Sequence, residues 1–108
     1  MKRGDVVTVA LQGDMGKPRP AVVIQSDHFN ATHSTITILP LTSSLMAAPL
    51  IRVTIEPDDH NGLRELSQVM VDKVVSVKRE SIGRAIGRFD DATMARLGRS
   101  LAVWIGIA

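Results

Sequence analysis

Short alternating runs of apolar and polar residues dominate this chain, and most of them end on a turn signal. Residues 6–11 read as a first strand, with Val7, Val9 and Leu11 on one face and Thr8 and Ala10 on the other. Residues 12–18 form a glycine-containing loop. Residues 21–25 are an unbroken apolar run, as expected of a central strand. Residues 26–34 are polar, with one helical turn expected near Asp27. Residues 35–41 are rich in β-branched side chains and predict a strand that ends at Thr42-Ser43-Ser44, followed by a helical turn through Met46. Residues 50–56 alternate cleanly, placing Ile51, Val53 and Ile55 opposite Leu50, Arg52, Thr54 and Glu56. An acidic turn over 57–62 closes on Asn61-Gly62, a pair that favours left-handed backbone. Residues 66–77 predict one further strand with Val69, Val71, Val75 and Val77 on one face. A helical turn over 78–82 and a short strand over 85–88 follow.

The period changes only at the end. Asp90 is a good N-cap, Phe89 and Met94 stand at hydrophobic-staple positions, and Met94, Leu97, Leu101, Trp104 and Ile105 form a helical stripe. Gly106 is placed to stop the helix. About five short strands and one helix predict a mainly β (α+β) fold, a small twisted β-barrel with short helical turns and a capping C-terminal α-helix. No linker or repeat divides residues 1–108, so a single domain is expected.

Composition narrows the class. The 108 residues hold three aromatics, Phe29, Phe89 and Trp104, so the core is aliphatic and a dimer would bury useful further surface. The absence of cysteine removes disulfides and thiolate metal sites and fits a reducing cytoplasm. No apolar run approaches membrane-spanning length. His28, His33 and His60 show no ligand spacing, so neither a metal nor another cofactor is expected. A net charge of +2 is compatible with an anionic partner without requiring one.

One cation stands out. Pro18 and Pro20 hold Arg19 extended at the mouth of the apolar run 21–25. A guanidinium in that position either pairs with a nearby carboxylate, Asp5 or Asp14, or grips a phosphate with its planar fork of donors. Thr42, taken alone, is a strand-ending or capping residue, and Asp72-Lys73 an exposed strand pair.

Read in order, several segments resemble the MazF/PemK family of toxin endoribonucleases. They are Arg3-Gly4-Asp5-Val6-Val7, Pro18-Arg19-Pro20-Ala21-Val22-Val23-Ile24, Asp27-His28-Phe29-Asn30, Ile38-Leu39-Pro40-Leu41-Thr42-Ser43, Gly62-Leu63, Ser67-Gln68-Val69 and Trp104-Ile105-Gly106-Ile107. The resemblance implies an SH3-like barrel, a homodimer, metal-independent and sequence-specific cleavage of single-stranded RNA, and inhibition by a cognate acidic antitoxin. It carries catalytic roles onto Arg19 and Thr42, and a further one onto Asp72. Lys17, Ser43 and His28 join Arg19 and Thr42 as RNA-binding candidates. Val75-Ser76-Val77-Lys78 departs from the family's Arg-Thr-Ile-Asp segment, and the loop before Arg19 is shorter than usual.

Metal-free cleavage uses the ribose 2′-OH as nucleophile and requires a base, a leaving-group acid and donors for the charged phosphorane. Arg19 suits the last task, because its pKa above about 12 makes it a poor proton donor. Thr42 can donate a hydroxyl hydrogen bond to the phosphate. Asp72, or His28 with its near-neutral pKa, could take the 2′-proton. Two other functions share the barrel: a CcdB-like DNA gyrase poison, suggested by the Trp104-Ile105-Gly106-Ile107 end, and a catalytically inactive RNA- or antitoxin-binding module. Trp104 lies on the helical stripe and is expected in the core.

Overall fold

A computed structural model describes residues 1–11 and 17–108. Among these, β1 (Asp5–Ala10), β2 (Pro18–Val23), α1 (Asp27–Asn30), β3 (Thr35–Thr42), β4 (Arg52–Ile55), β5 (Ser67–Met70), β6 (Val75–Lys78), β7 (Ile82–Arg88) and α2 (Asp91–Trp104) succeed one another. The strands form one antiparallel sheet in the order β4-β5-β3-β2-β1-β7, with β6 also on β3. The path ends at β4 and β7, so the twisted sheet is not closed by hydrogen bonds.

The sheet buries both faces. Val6, Val22, Leu39, Leu41, Val53, Val69, Met94 and Leu97 belong to one core, which α2 caps; Val7, Val9, Ala21, Val23, Ile36 and Ile38 form a second. This is why β1 carries adjacent buried valines at 6 and 7 where simple alternation places only Val7 inside.

Residues 66–77 do not form one strand. From Leu41↔Val69 to Ile38↔Val75, β3 retreats three residues while its partner advances six. The excess is taken up by the 3-10 turn Val71–Lys73, which separates β5 from β6 along the same edge of β3. A second 3-10 turn spans Arg79–Ser81. No helical turn follows Thr42 through Met46; that segment is held instead by buried Gln68, whose side chain accepts from Met46 N at 3.0 Å and donates to its carbonyl at 3.0 Å.

The C-terminal helix starts as its sequence dictates, with Asp90 accepting from Thr93 N at 2.8 Å, and stops before Gly106 at φ +85. Its stripe is longer than its footprint on the sheet. Met94 and Leu97 are buried and Leu101 packs against them, but Trp104 is 47% exposed. The expectation that Trp104 lies in the core is therefore corrected: the helix runs past the edge of the core by its last turn.

Candidate nucleic-acid cleft

Three prolines mark one end of the sheet. Pro18 and Pro20 pair only with β1, at Ala10 and Thr8, and the ladder between β2 and β3 runs from Val23↔Ile38 to Ala21↔Pro40. Proline lacks a backbone donor, so it is tolerated only where a ladder ends or faces an edge. Continued two residues, the same register sets Arg19 opposite Thr42. Residues 23 positions apart in sequence are thus brought to facing strand ends by the β2–β3 pairing.

These ends open into a cleft of about 660 Å³. Thr8, Arg19, Thr42 and Ser43 line it together with Leu63, Arg64, Glu65, Ser67 and Arg84. Among the described residues, the lining therefore combines three arginines with several hydroxyls and no aromatic ring. Thr42 Oγ1 accepts from Ser44 N at 3.0 Å, which turns the following loop and leaves the hydroxyl hydrogen available to donate.

The opposite wall rests on a backbone-to-backbone contact. Gly62 has φ +71, and a Cβ there would lie 2.0 Å from the Ile86 carbonyl oxygen; a Cβ on Gly87 would lie 2.2 Å from Asn61 C. The 61–62 turn thus sits directly on β7 and carries Leu63, Arg64 and Glu65 to the cleft. Buried Asn61 fixes it, donating to Glu56 O at 2.9 Å and accepting from Leu63 N at 3.0 Å.

The structure does not bring every sequence-predicted residue here. Lys17 is exposed and adjoins cleft-lining Pro18. His28 is exposed on α1, beyond the far end of β2, at roughly 3.3 Å per strand residue from Arg19, and packs edge-on against Phe29. Asp72 is also outside the cleft, in the 3-10 turn and not on an exposed strand. Arg52 donates to it twice, Nε to Oδ1 at 2.8 Å and Nη2 to Oδ2 at 3.2 Å, and these bonds hold its carboxyl below the ordinary carboxylate range. Such a doubly engaged carboxylate is a structural tie between β4 and the turn beneath α2. Asp5, one carboxylate considered for Arg19, pairs with Arg88 at 2.7 Å; Asp14, the other, lies outside the described residues.

Asp72→Asn should cost about 3 kcal/mol at neutral pH, because it strands the mostly buried Arg52 charge. The folded carboxyl titrates low, so this stabilisation is complete above the unfolded pKa near 4 and fades as pH falls through the folded value. Urea unfolding of both proteins at pH 7 and pH 3 checks it: a difference that does not shrink in acid contradicts the ion pair.

Arg84, Glu65 and Thr8 were not singled out by the sequence. They are isolated polar residues on different elements: the pairing of β1 with both β2 and β7 gathers Thr8 and Arg84, and the contact of Gly62 with β7 brings in Glu65. Among the described residues no group of three His, Asp or Glu is placed to hold a metal ion, and no helix is long and apolar enough to cross a membrane.

Residues 2–105 match the family described as PemK-like, MazF-like toxins of type II toxin–antitoxin systems. The chain belongs to this toxin family. It is 46% identical to a probable endoribonuclease MazF of Mycolicibacterium smegmatis, over 100% of this chain and 99% of the relative. It is 28% identical to endoribonuclease MazF9 of Mycobacterium tuberculosis, over 99% and 98% of the two chains. A mycobacterial endoribonuclease solved with its cognate antitoxin shares the fold, with a TM-score of 0.85 at 21% identity over 100% of this chain and 97% of that one. All three of these relatives are named endoribonucleases.

Proposed function

We propose that this MazF-like toxin is an endoribonuclease whose cleft holds the scissile phosphate of single-stranded RNA between Arg19 and Thr42. The observation that carries it is that both residues line one arginine-rich cleft, at strand ends that the β2–β3 register sets opposite each other. Arg19 offers a planar fork of donors to the non-bridging oxygens, and its fixed charge steadies the phosphorane as negative charge builds. Thr42 donates a hydroxyl to the same group, with Ser43 beside it. Arg64 and Arg84 in the lining, with exposed Lys17 beside Pro18, add to the positive surface.

The chemistry is attack of the 2′-oxygen on phosphorus with loss of the 5′-oxygen, giving a cyclic phosphate and a free 5′-OH. No metal is required for such a displacement when a fixed cation neutralises the phosphorane. A lining without aromatic rings leaves base selection to backbone groups and polar side chains of the loops.

The partners follow from the same surface. An acidic, partly disordered antitoxin segment suits the cationic cleft and would compete with RNA for it. The homodimer implied by the sequence has an apolar surface available at the end of α2, where Val103, Trp104, Ile105 and Ile107 are exposed.

The test uses purified protein, excess EDTA and a long single-stranded RNA. Discrete fragments with 2′,3′-cyclic phosphate and 5′-OH ends are expected. Absence of any cutting defeats the nuclease reading in favour of an inactive binding module, and cutting that returns only with added Mg²⁺ defeats the metal-free mechanism.

A further inference from the structure

We propose that Glu65 is the catalytic base that takes the ribose 2′-proton. The inference rests on the nuclease reading above and names the residue that reading leaves unassigned. Among the described residues lining the cleft, Glu65 is the sole carboxylate, and no histidine is present. The other basic groups there are arginines, which stay protonated and cannot accept. An ionised carboxylate has only lone pairs to offer, so it can accept a proton from a hydroxyl but not give one first.

Glu65 is exposed, yet its backbone is anchored on both sides. Two residues before it, buried Leu63 binds the first core, and three before it Gly62 sits on β7. Two residues after it, buried Ser67 donates its hydroxyl to the Glu65 carbonyl at 2.9 Å. The side chain therefore stands on a fixed stretch of the wall that closes the same cleft as Arg19 and Thr42. Three carboxylates outside the cleft are committed: Asp72 to Arg52, Asp5 to Arg88, and Asp27 to the Arg3 amide at 2.7 Å and Asn30 at 2.8 Å.

In the step itself, the Glu65 carboxylate removes the proton from the 2′-OH as the 2′-oxygen forms its bond to phosphorus. The bond from phosphorus to the 5′-oxygen breaks, and the departing oxygen is protonated from solvent water. The hydroxide so formed takes the proton from Glu65, restoring both. No oxidant, reductant or further reactant enters the balance.

Single-turnover cleavage by wild type, Glu65→Gln and Glu65→Asp tests the assignment. Glu65→Gln should lower the rate about 10²-fold or more, the usual share of a general base, and should bind an RNA analogue carrying a 2′-deoxy nucleotide at the cut site within about twofold of wild type. Glu65→Asp keeps the carboxylate and should recover part of the rate. The slow variant should also lose the acid limb of the wild-type pH–rate profile. A substrate with sulfur in place of the 5′-bridging oxygen needs no leaving-group acid, so Glu65→Gln should remain slow on it. Full rescue by the sulfur substrate would make Glu65 an acid and overturn the proposal, as would Glu65→Gln cleaving RNA within threefold of wild type. A wild-type protein that cuts no RNA fails the nuclease reading instead, so the two failures are distinguishable.

Discussion

Arg19→Ala should lower cleavage by about 10²- to 10³-fold, the cost of deleting one preorganised donor to a transition-state anion. Arg19 stands exposed at the start of β2 and belongs to neither core, so the variant should remain folded. The loss should fall mainly on kcat, because the guanidinium meets more negative charge in the phosphorane than in the ground-state diester. Arg19→Lys tests the fork geometry: it restores a charge but not two parallel donors, and partial recovery is expected. Circular dichroism, single-turnover cleavage and binding of the 2′-deoxy analogue together decide it. A variant that cuts within threefold of wild type removes Arg19 from the mechanism, and one that loses only binding makes it a docking cation.

Gly62→Ala should be the most damaging small substitution in the cleft wall. The residue sits at φ +71, where an L side chain pays about 1–2 kcal/mol, and its Cβ would lie 2.0 Å from the Ile86 carbonyl oxygen. A backbone atom cannot swing aside as a side-chain end can, so the turn must lift from β7. Overpacking of this kind costs about 1–3 kcal/mol more. The sum, about 3 kcal/mol, lowers the melting temperature by on the order of 10–20 °C in a domain of this size. Gly106→Ala is the control, with φ +85 but nothing within 4 Å, so it pays the backbone cost alone. Equal melting temperatures for the two variants would show that the contact with β7 does not matter. Cleavage per folded molecule should fall in Gly62→Ala only, because Arg64 and Glu65 move with the turn.

The two halves of the cleft were unequally legible in the sequence. Arg19 and Thr42 stand in distinctive settings, one between prolines at the mouth of an apolar run and the other where a β-branched strand stops. Arg64, Glu65 and Arg84 are ordinary surface residues by pattern, and their value comes from a glycine contact and a strand pairing between distant segments. Asp72 was misplaced for a related reason. Val69, Val71, Val75 and Val77 alternate smoothly across 66–77, but periodicity reports the spacing of apolar side chains and cannot register three residues folded out of the ladder. Most of the strands, the cap at Asp90 and the Asn61-Gly62 turn were readable because the patterns that announce them lie in neighbouring residues, whereas the division of 66–77 into β5 and β6 was not. Trp104 shows the limit on the helix: a stripe can continue past the surface that it covers.

That last position gives the molecule an optical property. The chain has one tryptophan and no tyrosine, so nearly all its ultraviolet emission comes from Trp104. The indole is half in water at the tip of α2, and it is not among the residues lining the cleft. Its emission colour therefore reports what covers the helix tip, independently of RNA turnover, and the protein carries a built-in fluorophore for assembly that needs no label.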